Sequence, residues 1–415
     1  MPEKICMGGI CGMGMAPLAL FLKADGCEVF GYDDAPNGNV AKMLSGHGIE
    51  LRKPCAGESF DRLVISSALK LKEDALRRKY PFAEVERRGL AWAKLCSKRR
   101  LTAVVGSHGK STVSAMIASA AIDSGMDFGW LVGAVPKNFD MSGYCQEGKV
   151  IVSEIDESDG TIEHFSPEVC VALNSDLDHV DTYAGAEAMG GMFRRLFART
   201  TSTVLYPKSD VLLDKIAQDF KGKAVGVETP QDFTLANAAM ARAAYEATFK
   251  IPCSAEDIDK FKGLERRQEI LAQTPNFFAV GDYAHHPREV ASFLGWFNSR
   301  VSERKTIVFQ PHRYTRTKYF AKEFARILEA ESERGNRVLL LPVYAASEKF
   351  DADGESCKIA QLAPHIKLAS KGEVCEIVEG ALDCKEVSAF AFVGAGDFYF
   401  DAKKLIEKKI FRSNL

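Results

Sequence analysis

The chain has 415 residues, 46% of them hydrophobic, with 54 Lys and Arg against 56 Asp and Glu. That length exceeds what one hydrophobic core supports and predicts two or three domains, while the near-balanced charge gives no basic field for nucleic acid or an anionic membrane surface. No apolar run is long enough to span a bilayer, and Met1-Pro2-Glu3-Lys4 leads into a strand instead of a signal h-region, so membrane insertion is not expected and a cytosolic setting is.

Lys4 to Met7 reads as a strand. It is followed by the turn Gly9-Ile10-Cys11-Gly12-Met13-Gly14, an apolar helix from Met15 to Ala24, and a strand from Cys27 to Tyr32 with Asp33 at its end. Glycines let backbone amides close on a pyrophosphate, and an acid about twenty positions on suits a nucleoside ribose. The same physics serves UDP and NAD, so this turn alone leaves an NAD-dependent dehydrogenase open. Val64-Ile65-Ser66-Ser67-Ala68 repeats the strand-to-loop pattern. The basic Lys98-Arg99-Arg100 reads as a solvated linker and marks the first boundary.

Leu101 to Val105 is β-branched and apolar, Val113 to Ile122 is helical in pattern, and Gly106-Ser107-His108-Gly109-Lys110-Ser111-Thr112 lies between them. This is a phosphate-binding loop for ATP, shortened in that Val104 stands where the full pattern has glycine. Lys110 is placed to reach the β/γ-phosphates and Ser111 to offer its hydroxyl to Mg²⁺. Two further strands, Val150 to Ser153 and Val169 to Leu173, end in Glu154-Ile155-Asp156-Glu157 and Asn174-Ser175-Asp176-Leu177-Asp178-His179. In an open α/β sheet ligands bind beyond the carboxyl ends of strands, which makes Glu154 and His179 metal-ligand candidates beside Ser111. An alanine-rich helix over Phe233 to Phe249 follows, then Arg266 and Arg267.

The last third repeats the alternation. Strands are predicted at Phe278 to Val280, Thr306 to Phe309, Val338 to Leu341 and Ala389 to Val393. Each ends in polar residues: Asp282 to Pro287 with His285 and His286, Gln310 to Arg316 with His312, Tyr344 to Glu348, and Gly394 to Asp397. The eleven cysteines, an odd number without a C-x-x-C pair, fit reduced thiols, most of them small core residues, better than disulfides or a zinc site.

The strings VVGSHGKST, VSEIDESDG, ALNSDLDHVDTY, GDYAHHPREV and VFQPHRYTRT, within matches running from Gly9 to Asp397, resemble the Mur ligase family, most of all its alanine-adding branch. The resemblance implies a three-domain α/β ligase. Residues 1–98 would form a Rossmann-like domain binding a UDP-sugar, 99–273 a central ATP-binding sheet, and 274–415 a Rossmann-like domain for the amino acid and ATP. The implied reaction joins L-alanine to the lactoyl carboxyl of UDP-N-acetylmuramate through an acyl phosphate, for peptidoglycan precursor synthesis, with ATP and Mg²⁺. Carried onto this chain, Gly9, Gly12, Gly14, Asp33, Ser66 and Ser67 would hold the nucleotide sugar. The loop Gly106 to Thr112, with Arg267 and Asp282, would hold ATP, and Ser111, Glu154 and His179 the metal. Lys110, His179, His285, His286, Arg313 and Arg316 would act in catalysis, the two arginines also binding the amino acid carboxylate. The residue types suit the task, since three anionic groups must be assembled and water kept from an acyl phosphate, which also implies a closing motion of the domains.

A recycling ligase of the same family, attaching a preformed tripeptide to the same nucleotide sugar, is the alternative. Phe309 to Thr317 favours the alanine enzyme, whereas Arg266-Arg267-Gln268-Glu269 has some character of the recycling branch. A dehydrogenase would leave Lys110, Glu154 and His179 without a purpose. The chain departs from the family pattern in being shorter between Tyr183 and Asn237, in Phe233-Thr234 where relatives carry His-Asn, and in Gly281 where an acid is common. Monomer and homodimer both stay open.

Overall fold

The computed structural model describes residues 2–157, 160–176, 185–301, 304–346, 348–384 and 387–413. His179 lies outside the described residues. The fold is mixed α/β with three sheets, distributed over two compact units, Met1–Lys262 and Gly263–Leu415.

The first unit holds two of the sheets. One is five-stranded and parallel, with Lys4–Gly8 at its centre between Glu28–Tyr32 and Arg62–Ile65. The other is seven-stranded, with Arg100–Val105 between Val150–Glu154 and Val169–Ala172. These strands read as near-continuous apolar runs because helices cover the sheet faces. One buried cluster runs from Ile5 and Val64 of the first sheet and Phe21 of the helix Ala16–Ala24, through Trp92 and Leu95, to Leu101 and Ile151 of the second sheet and Ile162 of a 3₁₀ turn beside it. A continuous core explains why both sheets fall into one compact unit.

Arg99 contributes to that core and corrects the reading of Lys98-Arg99-Arg100 as a solvated linker. It is 7% exposed. Its guanidinium donates to the carbonyls of Cys145 and Leu95 at 3.0 Å each, meets Asp25 at 3.3 Å, and stacks 4.8 Å from the Phe21 ring centroid. Arg100 already belongs to the strand that enters the phosphate loop. Charge pattern alone did not distinguish a buried, fully bonded guanidinium from a solvated one.

The second unit carries a six-stranded sheet in the order Glu269–Gln273, Phe277–Asp282, Ser388–Val393, Lys305–Phe309, Arg337–Leu340, Lys367–Leu368. Its first strand is antiparallel to the next. Glu269–Gln273, read from sequence as the tail of the central segment, is thus an edge strand of the last sheet, and the unit begins at Gly263. All eleven cysteines are free thiols. Among the described residues no helix is long and apolar enough to cross a membrane.

Candidate functional site

In the first unit, pairing register brings the carboxyl ends of the strands together. Val104 is level with Glu154 on one side and Val171 on the other, so the loop after Val105 emerges between them. Gly106 sits at φ +121 and Gly109 at φ +83, a region that L side chains rarely adopt. A Cβ on Gly106 would also stand 3.0 Å from the Asn174 amide nitrogen, and one on Gly109 2.6 Å from Asn237 Oδ1. Sterics therefore demand glycine at both places. The helix Lys110–Asp123 starts at once, aiming free amides and the positive end of its dipole into the loop.

Lys110 Nζ donates to the Gly106 carbonyl at 2.7 Å and lies 3.2 Å from each carboxylate oxygen of Glu157, which is 1% exposed. Burial pulls the ammonium down, but the carboxylates of Glu157, Asp156 and Glu154 outweigh it and hold its pKa above the usual value. Burial raises the Glu154 carboxyl, opposed by a hydrogen bond from Ser111 and by the Lys110 charge. Glu154 Oε2 is buried with no hydrogen-bond partner among the described residues. A buried carboxylate oxygen left over beside a hydroxyl and a phosphate loop is the donor set a hard divalent cation uses. Ser111 and Glu154 accordingly fit Mg²⁺, although no cluster of three His, Cys, Asp or Glu occurs among the described residues.

His108 is buried in the loop. Its backbone amide donates to Asn174 Oδ1 at 3.3 Å, the Asn174 amide donates back to its carbonyl at 3.0 Å, and its ring faces Asp176 at 3.6 Å. Ser107 Oγ donates to the Asp176 carbonyl. These bonds fix the loop in shape before any nucleotide arrives. Glu157, Asn174 and Asn237 were not singled out from sequence. Glu157 had a signal, being a further acid in the run that begins at Glu154. Asn237 had only its polarity on an alanine-rich helix face.

At the five-stranded sheet, Gly8 is level with both Tyr32 and Ile65, which brings Gly9, Asp33 and Ser66 to one edge. Gly9 donates to the Tyr32 carbonyl at 2.7 Å and Ser66 to the Gly8 carbonyl at 3.0 Å. Asp33 receives the Cys11 amide at 3.1 Å and the Ala35 amide at 3.0 Å, so its carboxylate shapes the glycine turn. Gly12 donates to the Gly9 carbonyl, and Ser67 opens a 3₁₀ segment. Arg88 lies against Gly14, a contact missed from sequence.

In the second unit, Asp282 is level with Val393, which is level with Phe309. Asp282 is buried and its carboxylate receives the amides of Gln268 at 2.7 Å and Ala284 at 2.8 Å. Burial, tempered by Arg267, pushes its pKa up to about 6. Both oxygens are thus engaged by the protein's own backbone, a clamp on the Arg266–Gln268 turn. Arg267 faces Glu289 at 3.6 Å and the Tyr283 ring at 5.2 Å.

His286 is buried as the N-cap of the helix Pro287–Arg300. Its Nδ1 accepts the Arg288 amide at 3.3 Å, Glu289 completes a capping box, and its ring meets Phe320 edge-on at 4.7 Å. The structure gives it a helix-capping part. His285 faces solvent more, with its ring 5.9 Å from that of His312. His312 stacks on Tyr344 at 5.7 Å and lies 3.4 Å from Arg316. Burial, reinforced by His285, Arg316 and Arg313, keeps its imidazole neutral. Arg313 adopts φ +69 at the start of the helix Tyr314–Tyr319, with its amide bonded to the Tyr344 carbonyl at 2.9 Å. The Tyr344 hydrogen bond holds this non-glycine residue in a backbone conformation it rarely adopts.

Largely parallel sheets, with a phosphate loop at the carboxyl edge of the seven-stranded one, define an α/β nucleotide-binding protein. A model described as "Mur ligase family, catalytic domain" matches residues 4–100. UDP-N-acetylmuramate--L-alanine ligase from Kineococcus radiotolerans is 30% identical over 411 residues, covering 87% of this chain and 86% of that one. The enzyme of the same description from Fusobacterium nucleatum is 26% identical over 460 positions, covering 98% and 97%. Among solved structures, the UDP-N-acetylmuramate-alanine ligase of Thermotoga maritima shares the fold with a TM-score of 0.79 at 21% identity, covering 99% of this chain and 100% of that one. The chain belongs to the Mur ligase family, ATP-dependent ligases that form a C–N bond.

Proposed function

We propose that this chain joins L-alanine to the lactoyl carboxyl of UDP-N-acetylmuramate at the expense of ATP. The observation that carries the reading is the loop around Lys110, with Glu154 Oε2 left unpartnered beside Ser111. Likeness to alanine ligases along nearly the whole chain supplies the substrate class.

The substrate carboxylate attacks the γ-phosphorus of ATP, and the bond to the β,γ-bridging oxygen breaks to give an acyl phosphate and ADP. The alanine amine then attacks the acyl carbon, loses a proton, and expels phosphate from the tetrahedral intermediate. Charge neutralisation dominates both steps. Lys110, freed from Glu157 by the incoming phosphates, balances charge on the transferring group. The loop amides fixed by His108, Asn174 and Asp176 bind the remaining phosphate oxygens. Bound Mg²⁺, held by Ser111 and Glu154, would neutralise and orient the phosphate oxygens. In the second unit Arg313 and Arg316 supply planar cations suited to carboxylates, and neutral His312 holds Arg316 in place.

Arg266-Arg267-Gln268-Glu269 does not favour the tripeptide-adding alternative. Arg266 is boxed by Tyr283, Tyr399 and Phe400 and donates to the Gly394 and Gly396 carbonyls at 2.9 and 2.7 Å, and Glu269 meets Tyr399 and Lys403. Packing within the unit accounts for these two residues without a substrate. Phosphate release from ATP with UDP-N-acetylmuramate, run against L-alanine, glycine, L-serine and the tripeptide, tests the reading. Turnover with L-alanine well above the tripeptide is expected, and turnover with the tripeptide alone would replace it.

A further inference from the structure

Arg88 begins the helix Arg88–Ser97, which connects the two sheets of the first unit. That helix is locked onto the strand end bearing Glu154. Trp92 Nε1 donates to Ser153 Oγ at 3.0 Å in the core, and a Cβ on Gly89 would stand 1.9 Å from Thr161 Oγ1, so only glycine permits the approach. The Arg88 side chain, 18% exposed, spans two sites. One terminal nitrogen lies 2.7 Å from where a Cβ on Gly14 would be, and the other donates to Asp156 at 3.1 Å. Asp156 stands between Glu154 and Glu157, and its charge acts on both Lys110 and Glu154. The turn Gly9 to Gly14 itself contains no cation.

We propose that Arg88 is a nucleotide-sugar-binding residue that holds the diphosphate at the Gly12–Gly14 turn and, through Asp156, couples that site to the phosphate loop. This rests on the UDP-sugar reading above. A planar guanidinium can present separate N–H groups to two anions at once, which an ammonium on a flexible stem does poorly. When the diphosphate draws on the guanidinium, Asp156 is released in part and offers its charge beside Glu154, which would hold the cation of a magnesium nucleotide. Each ligand then tightens the other, by the same factor in both directions.

Calorimetry on the full chain tests this, with UDP-N-acetylmuramate titrated in the presence and absence of magnesium and a non-hydrolysable ATP analogue. The wild type should bind the nucleotide sugar several-fold tighter with the analogue present. Arg88→Met should weaken nucleotide-sugar binding about tenfold or more and bring the coupling factor to one. Arg88→Lys should recover affinity in part but not the coupling, which separates the effect from a folding defect. Asp156→Asn should abolish coupling while largely sparing nucleotide-sugar affinity. Unchanged affinity in Arg88→Met, or a wild-type coupling factor of one, overturns the proposal. A wild type that binds the ATP analogue but no UDP-N-acetylmuramate overturns the substrate reading instead.

Discussion

Lys110 Nζ lies 3.2 Å from both carboxylate oxygens of Glu157, a residue 1% exposed, so the loop's cation rests on a buried anion. The pair keeps the ammonium charged and aimed. Lys110→Ala removes the loop's only lysine and should cost several kcal/mol of transition-state stabilisation, roughly a thousandfold in kcat/KM. Steady-state phosphate release measures it, and a variant retaining a tenth of wild-type activity would contradict the assignment.

Glu157→Gln leaves the lysine but removes one of the charges that raise its pKa. The role proposed for Lys110 requires the protonated ammonium, so the alkaline limb of the kcat/KM profile should move to lower pH in this variant. Superimposable limbs for wild type and variant would show that Glu157 does not support Lys110.

Glu154→Gln keeps the size of the side chain and removes the charge a hard cation needs. The Mg²⁺ concentration for half-maximal activity should rise steeply, and His179→Ala should act in the same sense. Mg²⁺ titrations at saturating ATP decide it, and unchanged midpoints in both would remove these residues from the metal site.

Asp282 has a raised pKa in the folded chain, so between its ordinary value near 4 and about 6 the folded state holds more protons than the unfolded one. Stability therefore falls as pH rises through that window, by up to roughly 3 kcal/mol from this residue. Asp282→Asn should flatten that dependence. It should also destabilise at all pH values, because an amide cannot accept from both Gln268 and Ala284 without turning a donor on one. Denaturant midpoints between pH 4 and 7 measure both effects.

Thr234 stands one helical turn before Asn237, whose carboxamide packs on Gly109. By the family resemblance an asparagine at position 234 would read the adenine edge, and threonine has a shorter reach. Discrimination of ATP from GTP should consequently be modest, and Thr234→Asn should sharpen it. Comparing kcat/KM for both nucleotides settles the matter: strong wild-type discrimination, unaltered by the substitution, would refute it.

The sequence by itself determined the α/β class, the phosphate loop and the glycine turn, because these depend on local chemistry. An apolar strand, glycines that alone tolerate φ +121 and +83, and a helix start are contiguous in the chain. Strand-end placement also made Asp33, Ser66 and Glu154 legible, since strands of a parallel sheet all deliver their carboxyl ends to one edge. Tertiary structure decided which polar residues serve the fold. Arg99 reads as linker charge until Phe21, Asp25 and Cys145 are seen around it. His285 and His286 are neighbours in sequence, yet one ring lies near His312 and the other is a buried cap against Phe320. Glu157, Asn237 and Arg88 acquired meaning only from contacts with Lys110, Gly109 and Asp156, at sequence separations of 47, 128 and 68. Burial and long-range partnership set whether a charge is solvated, paired or poised, and neither is written in local pattern.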